Sequence, residues 1–328
     1  MASTETQTPD QSGDGDDLRG YIIASVIPCM VLGFVALALR LLSRRIKYSA
    51  LMVSDYLAIS GFLCSWVISL IIISEAKLGL GLHISQVPFA NIRLILLTTF
   101  IGELFYSIGF TVIKLSILML YRQLFPTRLI LVSTTALAVF VILWGIALLL
   151  VSIFSCEPIH GFWDIDIPSK CVDSKWFFVG NAIPNILADL FLLFLPMRDV
   201  WKLKMSIQSK IGVTGLFALG SFVIIASGLR IKFTLSINPQ DVTWDYVGVG
   251  LWTAVEINVA VISCCLPTVR PAVSLIVPER LKRIFTGTQT HRTAGSQGYG
   301  LRSPHNRQHL GSHDDIHGSQ TDDFVPLK

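Results

Sequence analysis

Five ionisable residues stand inside long apolar runs of the sequence, and their side-chain types could do chemistry there. They are Glu103, Lys114, Asp189, Arg230 and Glu256. If these runs lie in lipid, each charge is costly to bury, so the residues are expected to pair with one another or to line a cavity. A carboxyl group in such a cavity could hold a polar group of a ligand or donate a proton to a substrate. What these residues do therefore depends on whether the runs cross a membrane.

The composition is that of a membrane protein. Of the 328 residues, 52% are hydrophobic and 15% are charged, whereas a soluble domain carries roughly 25% charged residues. The apolar residues fall into seven runs, each near the roughly 20 residues that a helix needs to cross a bilayer. Strands of a membrane barrel would be about half as long. We therefore predict an all-α polytopic membrane protein with seven transmembrane helices, near residues 21–42, 56–76, 95–121, 129–154, 176–197, 211–235 and 246–266.

Basic residues are distributed unevenly between the loops. They concentrate in the first, third and fifth loops and after the seventh helix, and such loops stay cytoplasmic because Lys and Arg resist translocation. The N-terminus is therefore predicted to lie outside and the C-terminus in the cytoplasm. The polar segments 1–20 and 286–328 are predicted to be disordered tails, which leaves 21–285 as the membrane domain. The basic residues concerned are Arg40, Arg44, Arg45, Lys47, Arg122, Arg128, Arg198, Lys202, Lys204, Lys210, Arg270, Arg280, Lys282 and Arg283.

Two cysteines, Cys156 and Cys171, share one loop on the predicted outer side. That side faces an oxidising compartment, so we predict a disulfide between them. Closing a loop of about fifteen residues in this way stabilises a fold by roughly 3 kcal/mol.

Six stretches of the chain carry a family resemblance. They read SDYLAISG, LGLGLHISQVP, KLSILMLYRQLFP, SCEPIHGFWD, ILADLFLLFLPMRDVWKLKM and LWTAVEINVAVISCCLPTVRP. Together they resemble the fungal rhodopsin-like integral membrane family, which has receptor-like members and members encoded in secondary-metabolite gene clusters. The resemblance implies a seven-helix membrane protein of a fungus, in the plasma membrane or an endomembrane, and leaves both kinds of role open.

The family name does not imply a bound pigment. Rhodopsins attach retinal to a lysine of the seventh helix, and no lysine lies between Tyr246 and Leu266. Neither retinal nor another cofactor is expected, and no convincing metal-ligand spacing is present. Because topology accounts for the basic loops, no nucleic-acid partner is inferred.

The depth of each buried charge, counted at about 1.5 Å per residue, predicts how the charges pair. Lys114 and Asp189 match in the inner half of the membrane, and Arg230 and Glu103 match in the outer half. Glu256 is then left near the midplane without a cation and is expected to be uncharged. We predict Glu103 and Arg230, like Cys156 and Cys171, to be structural.

A ligand pocket is the alternative to a purely structural role for these groups. Asn181, Asn185 and Asp189 form a polar stripe at a spacing of four on the fifth helix. His83, in the loop after the second helix, could either bind a ligand or fix that loop. The predicted ligand-binding residues are Lys114, Asn185, Asp189, Glu256, Trp252 and His83.

Three classes of function are compatible with these features. The first is a receptor-like protein in the lipid bilayer that senses a small, apolar molecule and signals to a cytoplasmic partner. The alternative is a membrane-embedded enzyme of secondary metabolism, in which Glu256 or Asp189 would act as a buried acid on a hydrophobic substrate. A carrier is disfavoured because the sequence shows no internal repeat. The topology, the family resemblance and the long basic cytoplasmic loops favour the receptor without deciding whether the chain is an enzyme.

Overall fold

The computed structural model describes residues 17–46, 48, 50–124, 127–164, 166–196, 207–238 and 240–276. Most of these residues belong to long helices that follow one another along the chain. Within the described part the helices are α1 (Arg19–Ile46), α2 (Val53–Leu78), α3 (Phe89–Leu124), α4 (Arg128–Ile153), α5 (Ser174–Phe194), α6 (Ile207–Leu235) and α7 (Val242–Ile276).

These seven helices are each long and apolar enough to cross a membrane, which confirms the predicted fold class. The chain is therefore a multi-pass membrane protein. At 1.5 Å per residue, the 36 residues of α3 span about 54 Å, so the helix extends past or tilts across a hydrocarbon core of about 30 Å. The orientation in the membrane stays a prediction. The predicted tails fall almost wholly outside the described residues, as do most of the basic residues of the fifth loop and those after α7.

The centre of the bundle is formed by α3 and α7, whose apolar segments are the most buried. Close approach of α2, α3 and α7 requires a small residue at Gly109, where an added Cβ would lie 3.0 Å from both Cys64 and Ile257. In contrast, α1 and α4 expose many large apolar side chains, among them Phe34 and Leu143. Such surfaces fit contact with lipid, since small residues mark helix interfaces and apolar ones face the bilayer.

One end of the bundle is closed by a hairpin of β1 (Cys156–Glu157) and β2 (Lys170–Cys171). A disulfide joins Cys156 to Cys171, as predicted. We call this the disulfide end of the bundle. A turn that follows α2 lies at the same end, where the Gly81 N–H donates to the Thr243 carbonyl at the start of α7 over 3.1 Å. Gly79 and Gly81 have φ of 128° and 99°, values that residues with a Cβ rarely adopt, so both glycines serve this turn.

Candidate functional site

Lys114 of α3 and Asp189 of α5 form the buried ion pair that depth predicts. The Nζ of Lys114 lies 3.0 Å from Asp189 Oδ1 and donates to the carbonyl oxygen and to Oδ1 of Asn185 over 2.8 and 2.7 Å. All three ammonium donors are thus used. The two cavities beside Lys114 measure about 40 and 20 Å³, enough for a few water molecules only. This geometry favours a structural role for Lys114, Asn185 and Asp189.

Arg230 of α6 contacts Glu256 of α7, so the predicted pairing of Arg230 with Glu103 is wrong. Arg230 Nε lies 3.3 Å from Glu256 Oε2, and the guanidinium stacks 4.6 Å from the ring centre of Tyr106. Glu256 also accepts hydrogen bonds from the hydroxyls of Tyr106 and Ser227. The expectation that Glu256 has no cation is therefore wrong too. Because α6 packs along α7, the long arginine side chain reaches the neighbouring helix.

Because Arg230 contacts Glu256, no cation among the described residues is in contact with Glu103. Its Oε2 is shielded and has no hydrogen-bond partner in the described part of the chain. Glu103 lines a cavity at the disulfide end.

That cavity has a volume of about 500 Å³, within the range of about 300–1,000 Å³ that is usual for ligand pockets. Its wall is mostly apolar, with a few hydroxyl and carboxyl groups. Among its described lining residues are Ile92, Ile95, Leu96, Thr99, Phe100 and Glu103 from α3; Ser152, Ser155, Cys156, Phe162, Cys171, Val172 and Asp173 from the end of α4 and the hairpin; Phe177 and Phe178 from α5; and Thr234, Val242, Thr243 and Tyr246 from α6 and α7.

The six residues predicted to bind a ligand are not among the described residues that line this cavity. In contrast, three of the residues predicted to be structural do line it, namely Glu103 and the two disulfide cysteines. Trp252 is half-buried on α7, away from the described lining.

His83 fixes the turn at the disulfide end. Its Nδ1 contacts Asp241 Oδ2, and its ring stacks on Trp244 with centroids 4.5 Å apart. The Ile84 N–H donates to the other carboxylate oxygen of Asp241 over 2.9 Å. Although partial desolvation opposes the change, these hydrogen bonds lower the pKa of Asp241 below its ordinary value. The arrangement favours the loop-fixing interpretation of His83.

Two buried polar clusters are absent from the sequence-based prediction. Glu75 of α2 is 2% exposed and accepts hydrogen bonds from Thr98 and Thr99 over 3.1 and 2.9 Å. Helical spacing in the sequence could have indicated that Glu75 is buried. It lies seven positions after Ile68 and three after Ile72, and both of these are buried on the same face of α2.

The second cluster lies at the end of the bundle opposite the disulfide. Arg40 Nη2 and Arg44 Nε contact the buried carboxylate of Asp55 at 2.8 and 3.0 Å. Arg40 Nη1 also donates to the carbonyl oxygen of Cys264 on α7 over 2.6 Å. From their position at the first loop, Arg40 and Arg44 are predicted only to set the orientation in the membrane, whereas the structure buries Arg40 completely.

Comparison with known proteins places this architecture among fungal membrane proteins. A family model described as a fungal rhodopsin domain matches residues 39–275. The chain is 29% identical over 205 residues to a SAT4 family membrane protein of Emericella nidulans, covering 61% of this chain and 51% of that protein. It thus spans about half the length of that relative.

Two further relatives are matched over most of this chain. A polyenoic acids biosynthesis gene cluster protein of Metarhizium anisopliae is 29% identical over 296 residues, covering 84% of this chain and 78% of that protein. The receptor GIN3 of Arthrobotrys oligospora is 24% identical over 289 residues, covering 82% and 67%. No solved structure matches the chain.

Proposed function

Because the chain belongs to the fungal rhodopsin domain family, we propose that it is a receptor-like membrane protein that senses a small, mostly apolar molecule. The ligand would bind in the cavity at the disulfide end. The observation that carries this proposal is the cavity itself, which combines about 500 Å³ of volume with an apolar wall and few polar groups, as ligand sites do. The similarity to a protein named as a receptor gives independent support.

The arrangement of α6 and α7 supplies a physical route from the cavity to the opposite end of the bundle. Thr234 of α6 and Tyr246 of α7 line the cavity. The same α7 continues to Cys264, whose carbonyl oxygen Arg40 holds. A ligand that binds one arrangement of these helices better than another would shift their equilibrium. The predicted topology places the opposite end in the cytoplasm, where a signalling partner would read the shift.

A cavity-filling substitution tests the site. Leu96 is a half-buried lining residue, and Leu94 on the same helix is exposed on the bundle surface. We expect decanol, a neutral apolar probe, to raise the unfolding temperature of the wild type and of Leu94→Trp but not of Leu96→Trp. In a deletion strain, Leu96→Trp should also fail to restore any transcriptional response that the wild type restores. Equal stabilisation of all three proteins by decanol would contradict the proposal.

Glu103 supports a second candidate, an enzyme of secondary metabolism that uses a buried carboxylic acid on a hydrophobic substrate. Relatives named for biosynthesis gene clusters agree with this role. Asp189 and Glu256 suit it less, since each contacts a cation. Metabolite profiling separates the candidates. A precursor that accumulates in a deletion strain, and that wild type but not Glu103→Gln removes, favours the enzyme; an unchanged metabolite profile with altered transcription favours the receptor.

A further inference from the structure

The ionisable lining of the large cavity is acidic. Glu103 of α3 and Asp173, just before α5, belong to the wall, and none of the lining residues that the structure describes is Lys, Arg or His. A ligand carboxylate or phosphate would meet these carboxyl groups and, among the described lining residues, no basic side chain to receive it. Electrostatics therefore select against anionic ligands, because an unpaired charge is repelled or must be neutralised.

The surroundings of Glu103 contain more carboxyl groups than cations. Glu103 lies within electrostatic reach of one cation, Arg230, and of two carboxyl groups, Glu75 and Glu256. The nearby cation, Arg230, contacts Glu256 and stacks on Tyr106. Glu75 is held by two threonine hydroxyls, and Glu103 Oε2 has no partner among the described residues. A buried carboxyl group in this position is stabilised most by a cation that arrives with the ligand, because opposite charges attract strongly where water is excluded.

Along the part of α3 that lines the cavity, Glu103 is the lining residue farthest from the disulfide end. The lining residues of α3 begin at Ile92 near the disulfide end and finish at Glu103. At 1.5 Å per residue, that stretch of helix is about 16 Å long. Apolar side chains, including Leu96 and Phe100, occupy the wall between the two residues. An occupant that uses the full length would thus be elongated and apolar, with its polar group at one end.

We infer that the ligand of this cavity is an elongated apolar molecule that carries one protonated amine, with the ammonium group on Glu103. The inference rests on the proposed ligand-binding function of the same cavity. The ammonium supplies a cation in direct contact with Glu103, which no described residue does. The hydroxyl of Thr99, one helical turn away on the same wall, can accept a second hydrogen bond from the ammonium. The hydrocarbon body occupies the apolar wall toward the disulfide.

Three probes with one chain length test the inference: decylamine, decanol and decanoate. Each is titrated calorimetrically into the full chain in nanodiscs of zwitterionic lipid, and the signal of empty nanodiscs is subtracted. We expect decylamine to bind at least about tenfold more tightly than decanol. A charge-assisted hydrogen bond is roughly twice as strong as a neutral one, and that difference in binding free energy corresponds to about tenfold in affinity. Decanoate should bind most weakly. This ranking in the wild type needs no variant.

Three variants locate the effect. Glu103→Gln should reduce decylamine affinity to that of decanol, whereas Glu157→Gln, the same change at an exposed residue of β1, should leave the ranking intact. Leu96→Trp should weaken all three probes. The inference would be overturned by any of three results. These are equal binding of decylamine and decanol to the wild type, tight binding of decanoate, and an unchanged preference for the amine in Glu103→Gln. If Leu96→Trp alters no probe, the cavity is not the ligand site, and the proposed function fails with it.

Discussion

Arg230 Nε lies 3.3 Å from Glu256 Oε2, with side chains that are 3% and 0% exposed. This contact decides which of the neighbouring carboxyl groups is paired with the guanidinium. Glu75, Glu103 and Glu256 lie near one another, and Arg230 contacts Glu256. Tyr106 reinforces it by donating to the same Glu256 oxygen and by stacking under the guanidinium. Glu103 consequently lines the cavity with an Oε2 atom that has no hydrogen-bond partner among the described residues.

The same substitution at two carboxyl groups should separate these roles. Glu256→Gln removes the charge that Arg230 contacts, and stranding one partner of a buried pair costs about 3–5 kcal/mol. Glu103→Gln strands no cation in contact with it, so we expect its loss to be under about 1 kcal/mol. Thermal unfolding in detergent measures both. Equal losses would mean that Arg230 serves Glu103 as much as Glu256.

Lys114 and Asp189 should behave as a coupled pair. Lys114→Met alone should lose about 3–5 kcal/mol of unfolding free energy, because Asp189 is then a buried charge without its cation. Adding Asp189→Leu should recover much of that loss, as an apolar pair can replace a buried ion pair.

A double-mutant cycle over the two single variants and the double variant gives the coupling energy. Lys232→Met is the matched control, because Lys232 is exposed on α6, and it should change stability little. Strictly additive losses at Lys114 and Asp189 would show that the two side chains do not interact.

The sequence was sufficient for the seven spans because the length and apolarity of each run are local properties. Depth along the membrane normal was also sufficient for Lys114 and Asp189. Depth could not identify the ion-pair partner of Arg230, since depth does not indicate which helix lies beside α6. The partner depends on lateral packing, and the structure places α7 there.

The presence of the cavity could not be predicted from the sequence either, because it too depends on how the helices pack side by side. Its wall consists mainly of ordinary apolar residues, such as Ile92 and Leu96, which at the sequence level are indistinguishable from packing or lipid-facing residues. A void arises only from the way several helices and the hairpin meet. The position of Glu103 in an apolar run marks it as unusual, but its role depends on that tertiary arrangement.

The disulfide should stabilise both the fold and the cavity. Cys156 and Cys171 close a loop with a sequence separation of 15, so replacing both by Ser should cost roughly 3 kcal/mol. Both cysteines also line the cavity, and we therefore expect weaker binding of decanol to the double variant. Cys29→Ser, at a half-buried free thiol on α1, should affect decanol binding little. Non-reducing peptide mapping must find Cys156 linked to Cys171 in the wild type; free thiols at both would refute the assignment.

Asp55 should be among the most sensitive carboxyl groups at the end opposite the cavity. Arg40 and Arg44 both contact it, so Asp55→Asn leaves two cations short of their partner, one of them fully buried. We expect a loss of about 3–5 kcal/mol, measured by thermal unfolding. Asp166→Asn, at an exposed position between the strands of the hairpin, removes the same charge and should be nearly neutral.

The position of Arg40 adds a functional expectation to this stability effect. Arg40 joins Asp55 of α2 to the Cys264 carbonyl of α7, so it connects α1 and α2 to the end of α7 that lies opposite the cavity. At a temperature where the variant remains folded, Asp55→Asn should keep decanol binding in the distant cavity within about threefold of wild type, because the two sites share no residue. Its transcriptional response should nevertheless change. An unaltered response in the folded variant would mean that this cluster only stabilises the bundle and does not take part in signalling.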